Sequence, residues 1–242
     1  MKAVSKTNTG LVRQGNEDAV LTDAPDLYAI ADGMGGYVGG EIASAETIKV
    51  LQEEKENFAG LTGDALCKAL KDAAVKANGH LRQLVCKMPD YEGMGTTLVA
   101  VYLADDGKAY ALNIGDSRLY LWRGGELMQI TEDHSYVAQL LSNGDITSEE
   151  ARRHPQRNVI LRAVGADADV EADVFSFDVQ AGDRLLLCSD GLSDMATDEE
   201  IAAVLAEKDT EKAADALIEL ALNNGGRDNV SVILLDFEAE ER

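Results

Sequence analysis

The residues best suited to chemistry in this sequence are aspartates that follow short apolar runs and lie beside glycine or asparagine. The end of a strand is a rigid place from which to aim a short carboxylate, and a neighbouring glycine lets backbone approach an ion. Four places have this pattern, and their aspartates are Asp32, Asp116, Asp190 and Asp228. If the four strand ends converge, they form an oxygen-rich cage.

A cage of aspartates needs a cation, because like charges a few ångström apart would force some carboxyl groups to hold protons. The sequence has neither a histidine-rich nor a cysteine-rich ligand set, and it lacks the Asp-x-Asp-x-Asp-Gly loop of calcium sites. Oxygen ligands suit Mg²⁺ or Mn²⁺ better than Zn²⁺ or copper. We therefore predict a site for Mg²⁺ or Mn²⁺.

A polar segment upstream adds Arg13, Glu17 and Asp18. An arginine fork binds phosphate through two parallel hydrogen bonds, and a site for metal and phosphate explains an arginine near so many acids. Each Asp-Gly pair alone is more often an ordinary turn. The prediction therefore depends on the motifs occurring together.

Composition narrows the class of partner. The 242 residues include 44 acidic and 22 basic side chains, a formal charge of −22, which disfavours nucleic acid and anionic membrane surfaces. Cys67, Cys86 and Cys188 form no Cys-x-x-Cys pair, so neither a disulfide framework nor a zinc ribbon is indicated. With no signal peptide or membrane-spanning apolar stretch in the sequence, we expect a cytoplasmic protein.

The apolar patterns predict many strands and several helices. Strands are predicted at 27–31, 97–103, 109–114, 119–122, 184–188 and 230–237, and helices at 41–58, 64–84, after Thr197 and at 210–223. Gly124 and Gly125 predict a tight hairpin turn. We expect one domain, 1–242, of helices on mostly antiparallel sheets. The polar segment at about 143–163 is either a flap over the site or an ordinary surface excursion.

Seven ordered motifs resemble the PPM family, also called type 2C, of metal-dependent Ser/Thr protein phosphatases, and in particular its compact bacterial members. They are Arg13 to Asp18, Asp32 to Gly36, Gly95 to Thr97, Asn113 to Arg118, Asp133 to Ser135, Ser189 to Gly191, and Asp228 with Asn229. The resemblance implies an α+β fold in which a central β-sandwich of two mostly antiparallel sheets is flanked on both sides by antiparallel helix pairs.

The same resemblance implies the catalytic residues. Asp32 would bridge two catalytic ions, Mn²⁺ or Mg²⁺, and Gly33 would offer its backbone carbonyl to one of them. Asp190 and Asp228 would complete the protein ligands of the other ion. Arg13 would hold the phosphate. Phosphoserine and phosphothreonine would then be hydrolysed by a bridging water, activated by the metals, in a single in-line displacement.

Further roles are implied outside this set. Glu17 and Asp18 would orient waters bound to the metals, and Asn229 would position the site through hydrogen bonds. Asp116 would bind a third, more weakly held ion, and Asp190 would be a ligand of that ion as well. The expected substrates are phosphorylated proteins, those of a partnered Ser/Thr kinase, and we expect a monomer that binds neither nucleic acid nor membranes.

One departure from the family pattern concerns proton transfer. Met34 lies where many eukaryotic members carry a histidine that is proposed as general acid, and methionine cannot donate a proton. Two other functions stay open: a catalytically silent member that only binds metal or phosphoprotein, and a metal phosphoesterase for small metabolites. Comparing the hydrolysis of phosphopeptides with that of nucleotide or sugar phosphates would distinguish a protein phosphatase from a metabolite phosphoesterase.

Overall fold

The computed structural model describes residues 1–35 and 39–237, without the side chains of residues 23 and 24, so Gly36 of the Asp32 to Gly36 motif lies outside the described residues. Within these ranges the strands are β1 (Lys2–Asn8), β2 (Asp18–Ala24), β3 (Leu27–Met34), β4 (Gly95–Thr96), β5 (Leu98–Leu103), β6 (Lys108–Ile114), β7 (Arg118–Arg123), β8 (Glu126–Gln129), β9 (Asp173–Asp178), β10 (Arg184–Cys188) and β11 (Val230–Asp236). The helices are α1 (Gly39–Glu54), α2 (Gly63–Lys87), α3 (Tyr136–Ser142), α4 (Ser148–Arg153), α5 (Asp190–Ser193), α6 (Asp198–Leu205) and α7 (Thr210–Asn223).

The strands form two sheets in which every pairing is antiparallel. One sheet has the order β1-β11-β10-β7-β8, and the other has the order β2-β3-β5-β6-β9 with β4 paired to β3. Between β7 and β8 the turn residues Gly124 and Gly125 have φ of 61° and 94°. The predicted hairpin is confirmed, because these positive angles suit glycine.

Apolar side chains on both faces of the central strands explain the layers, because a strand buried on two sides reads as a continuous apolar run. In β3, Ile30 points to a core shared with Leu187 and Ile233 of the other sheet. Its neighbour Ala29 points the opposite way, to a core with α1 and α2. A third core joins the outer face of the sheet that contains β10 and β11 to α6 and α7. The predicted helix–sheet–sheet–helix architecture is confirmed.

Helix ends follow local chemistry. Thr197 caps α6 with Glu200 in a reciprocal capping box, as the sequence predicts. Helix α2 has 25 residues, and its buried apolar stripe runs from Leu66 to Leu81. Helix α1 ends before the predicted position 58, and Phe58 is buried in the core beyond its end. Among the described residues no helix has the length and apolar character to cross a membrane.

Candidate active site

The sheet topology brings the four predicted aspartates to one edge of the sandwich. Asp32 lies in the last part of β3, and Asp190 opens α5 directly after β10. Asp228 lies just before β11 and Asp116 just before β7, and both strands run antiparallel to β10, so their beginnings meet its end. Strand pairing therefore gathers Asp116, Asp190 and Asp228, and the packing of the two sheets brings β3 with Asp32 against them.

The carboxylates at this edge act on one another electrostatically. Burial, followed by the charges of Asp18, Asp190, Asp116 and Asp228, raises the pKa of Asp32 well above its ordinary value. Burial and the charge of Asp116 likewise raise the pKa of Asp190. Carboxylates that raise one another's pKa in this way are held close together against their mutual repulsion.

The unpaired oxygens at this edge fit a hard cation. The buried Oδ1 atoms of Asp18, Asp116 and Asp190 have no hydrogen-bond partner among the described residues. Burial raises the pKa of Asp18 to about 6 and that of Asp116 to about 7. A buried carboxylate oxygen without a donor is costly unless a proton or a cation meets it, and an all-oxygen donor set suits Mn²⁺ or Mg²⁺.

The carboxylates line the edge without closing on one point. In the part of the chain that the structure describes, no group of three or more His, Cys, Asp or Glu side chains is gathered tightly enough to cage an ion. Hard divalent cations commonly keep water molecules and take one or two carboxylates each. The donor set therefore fits ions that are only partly coordinated by protein.

Hydroxyl groups fix the backbone of Asp32. Its amide donates to Thr97 Oγ1 over 3.0 Å, and its carbonyl accepts from the Thr97 amide at 2.9 Å and from Thr96 Oγ1 at 2.8 Å. Thr97 Oγ1 also lies 2.8 Å from the Ser117 hydroxyl. Ser117 thus supports the end of the strand that carries Asp32.

Glycine at position 33 is required by close packing. A Cβ there would lie 2.0 Å from the carbonyl oxygen of Gly40 in α1 and 2.7 Å from that of Glu17. The Gly33 amide donates to the same Glu17 carbonyl over 3.1 Å. A Cβ on Gly40 would lie 2.7 Å from Glu17 Cδ. The two glycines therefore let α1 and the segment of Glu17 approach β3.

The buried amide of Asn229 holds the loop that carries Arg13. Asn229 Oδ1 accepts from the Glu17 amide at 2.8 Å, and Nδ2 donates to the carbonyls of Thr9 and Gly15, both at 2.9 Å. Arg13 Nη2 lies 2.6 Å from Asp228 Oδ2, with half of the arginine side chain exposed. The loop thus presents a guanidinium at the acidic edge with room to meet an anion.

A cleft of about 210 Å³ continues from this edge to the predicted flap. Asp116 and Asp190 line this cleft together with Arg152 and Arg157. Arg157 Nε is 3.4 Å from Asp194 Oδ2, one helical turn from Asp190. The polar segment therefore lies against the acidic edge, where a substrate could be enclosed between them.

The three histidines make contacts that support the fold. His80 bonds Glu46 between α2 and α1, at 2.6 Å. His134 Nδ1 accepts from the Gly115 amide at 3.1 Å, and its Nε2 meets Asp173. The ring of His154 packs 5.9 Å from that of Tyr136, centroid to centroid. His134 therefore supports the turn before Asp116, which its motif alone did not reveal.

Comparisons with known proteins identify relatives of this chain. The family model described as protein phosphatase 2C matches residues 4–224. The serine/threonine protein phosphatase PstP of Mycobacterium tuberculosis is 46% identical over 98% of this chain, which spans only 45% of that relative. The serine/threonine phosphatase stp of Listeria monocytogenes is 38% identical over 100% of this chain and 98% of its own length. A crystal structure of the PstP catalytic domain in complex with two manganese ions is 42% identical, with a TM-score of 0.88 over 98% of both chains.

Proposed function

The chain belongs to the protein phosphatase 2C family, and from this premise we propose that it is a metal-dependent enzyme that hydrolyses phosphoserine and phosphothreonine in proteins. The observation that supports this most strongly is the gathering of Asp32, Asp116, Asp190 and Asp228 at one sheet edge, with buried carboxylate oxygens that lack a donor. Such an edge is costly for a protein that binds no cation.

The proposed ligands are Asp32, Asp190 and Asp228 with the Gly33 carbonyl for two catalytic ions, and Asp116 with Asp190 for a third. The related PstP domain binds two manganese ions, which favours Mn²⁺, and the oxygen ligands also suit Mg²⁺. Two such ions, when bound, supply an activated water and offset the negative charge of the phosphoryl group during in-line displacement.

The chain's own residues would do the remaining work. Arg13 would donate to the phosphoryl oxygens. Before substrate binds, its hydrogen bond to Asp228 holds the guanidinium at the acidic edge. Glu17 and Asp18 would accept hydrogen bonds from water at the site. Asn229 would keep Arg13 and Glu17 in place through its three hydrogen bonds.

Direct attack by water is supported by the state of the nearest cysteine. Cys188 ends β10 just before Ser189 and is fully buried, and burial raises the pKa of its thiol to about 12. A thiol with that pKa stays protonated and is a poor nucleophile at neutral pH. Met34 has no proton to give, so water or another side chain would protonate the leaving alkoxide.

The substrates proposed are phosphorylated proteins, among them those of a partnered Ser/Thr kinase. The enzyme proposed is a cytoplasmic monomer. A phosphothreonine peptide, a nucleoside monophosphate and a sugar phosphate should be assayed side by side, with Mn²⁺ and with chelator. We expect hydrolysis of the peptide to dominate and to require the metal.

Two variants sharpen this test. Asp190→Ala should abolish the activity, whereas Asp215→Ala, which removes an exposed carboxylate of α7 that pairs with Lys6, should leave it unchanged. Peptide hydrolysis that survives both chelation and Asp190→Ala would overturn the proposal. Preference for the small phosphates would instead indicate a metabolite phosphoesterase.

A further inference from the structure

The two carboxylate oxygens of Asp18 have opposite surroundings. Oδ2 accepts from the hydroxyl of Ser189 at 2.9 Å and from that of Ser231 at 2.6 Å. Oδ1 is buried and has no hydrogen-bond partner among the described residues. Both serines are completely buried, and they come from the adjacent ends of β10 and β11. One oxygen is therefore fixed, and the other is left for the site.

The donors behind Ser231 form a chain with one direction. A carboxylate only accepts, so the hydroxyl hydrogen of Ser231 is committed to Asp18. Thr7 Oγ1, 2.7 Å from Ser231 Oγ, must then donate to Ser231. The oxygen of Thr7 in turn accepts from Asn16 Nδ2 at 2.7 Å. Each bond polarises the next, so the chain strengthens the last donor to Asp18.

Ser189 closes the arrangement from the other side. Its Oγ accepts from the Ser231 amide at 3.0 Å while its hydrogen points to Asp18. Asn16 Oδ1 also accepts from the Asp18 amide at 3.1 Å. Rotation of the Asp18 carboxylate would break its bonds to two completely buried hydroxyls, and each hydroxyl would then lack an acceptor.

We propose that Ser189 and Ser231 are positioning residues that hold Asp18 so that Oδ1 faces the metal-binding aspartates. The inference rests on the proposed function, in which Asp18 orients water around the ions. Groups that bond to the residues around a metal fix their orientation, and replacing such groups commonly weakens metal binding by about 10- to 100-fold.

Mn²⁺ binding measured by calorimetry tests this without relying on turnover. We expect Ser189→Ala/Ser231→Ala to weaken binding about tenfold, and Ser231→Thr, which keeps the hydroxyl, to retain the wild-type affinity. Ser44→Ala is the matched control, because Ser44 is also fully buried but donates to the Glu41 carbonyl in its own helix. It should bind Mn²⁺ as the wild type does.

A cycle with Asp18→Ala separates positioning from loss of fold. If the serines act through Asp18, removing them in the Asp18→Ala background should weaken Mn²⁺ binding no further. Additive losses, or wild-type affinity in the double serine variant, would overturn the inference. If the wild type itself neither binds Mn²⁺ nor hydrolyses phosphopeptide, the proposed function fails instead.

Discussion

Replacing Asn229 by alanine should lower both the stability of the fold and the rate of the reaction. The substitution removes three hydrogen bonds of 2.8 to 2.9 Å made by a buried amide. Each is worth about 1 kcal/mol, so we expect the free energy of unfolding to fall by about 3 kcal/mol. The loop of Arg13 and Glu17 would also lose its attachment to β11, and a misplacement of 1 Å can cost about 100-fold in rate.

Asn78 offers a closely matched control. It is also buried, its Oδ1 accepts from the Gly165 amide at 2.7 Å, and its Nδ2 donates to the carbonyls of Asp167 and Ala168 at 3.1 and 3.2 Å. Asn78→Ala should therefore lower the free energy of unfolding by a similar amount, about 3 kcal/mol. It should leave kcat/KM of the folded enzyme unchanged, because this amide holds a loop beside α2.

Urea unfolding and phosphopeptide kinetics, measured below the unfolding transition, compare the two variants. The expected pattern is equal destabilisation with a loss of about 100-fold in kcat/KM for Asn229→Ala alone. Equal kinetics in the two variants would refute the view that Asn229 places Arg13. A loss of stability well under 1 kcal/mol for Asn229→Ala would refute the hydrogen-bond reasoning itself.

Three other perturbations have definite expected results. Gly33→Ala should lower the free energy of unfolding in urea by about 3 kcal/mol, since its Cβ would meet two backbone oxygens. Gly79→Ala, in open space on α2, should raise it by up to about 1 kcal/mol. Similar results for both variants would contradict the packing. Arg13→Ala should lower kcat/KM at least about tenfold. It should change the free energy of unfolding by less than about 1 kcal/mol, because its ion pair is exposed. A large loss of stability with unchanged kcat/KM would instead indicate a purely structural role. In chelator, the protein should lose stability as pH rises from about 4 to about 7. The pKa values of Asp18 and Asp116 in the fold, about 6 and about 7, lie above the ordinary 3.8, so the native state binds more protons in that window. In thermal unfolding, the stability of Asp116→Asn should fall less steeply with pH, and an unchanged dependence on pH would argue against a strained carboxylate at this position.

The central strands could be predicted because they are buried on both faces. The run at 184–188 coincides with β10, and the predicted strand at 109–114 differs from β6 by one residue. Of the strands that the sequence did not reveal, β1, β2 and β9 lie at sheet edges, and β4 has only two residues and pairs with β3. Edge strands carry polar residues such as those of Lys2–Asn8, so apolar periodicity is weak there.

The aspartates of the candidate site could be found for the same reason, since each adjoins a buried strand. Their roles stay predictions, as do the extent of the domain and of the flap. The supporting contacts could not be predicted, because they depend on which strands become neighbours. Ser189 and Ser231 meet Asp18 only once β10 and β11 pair, and Asn229 finds its partners more than 200 positions away.

Anomalous diffraction from crystals grown with Mn²⁺ tests the central claim most directly. Manganese should appear at the edge where β3, β10 and β11 meet, contacted by carboxylate oxygens of Asp32, Asp190 and Asp228. Ordered carboxylates at that edge without manganese, in crystals of protein that hydrolyses phosphopeptide, would contradict the account.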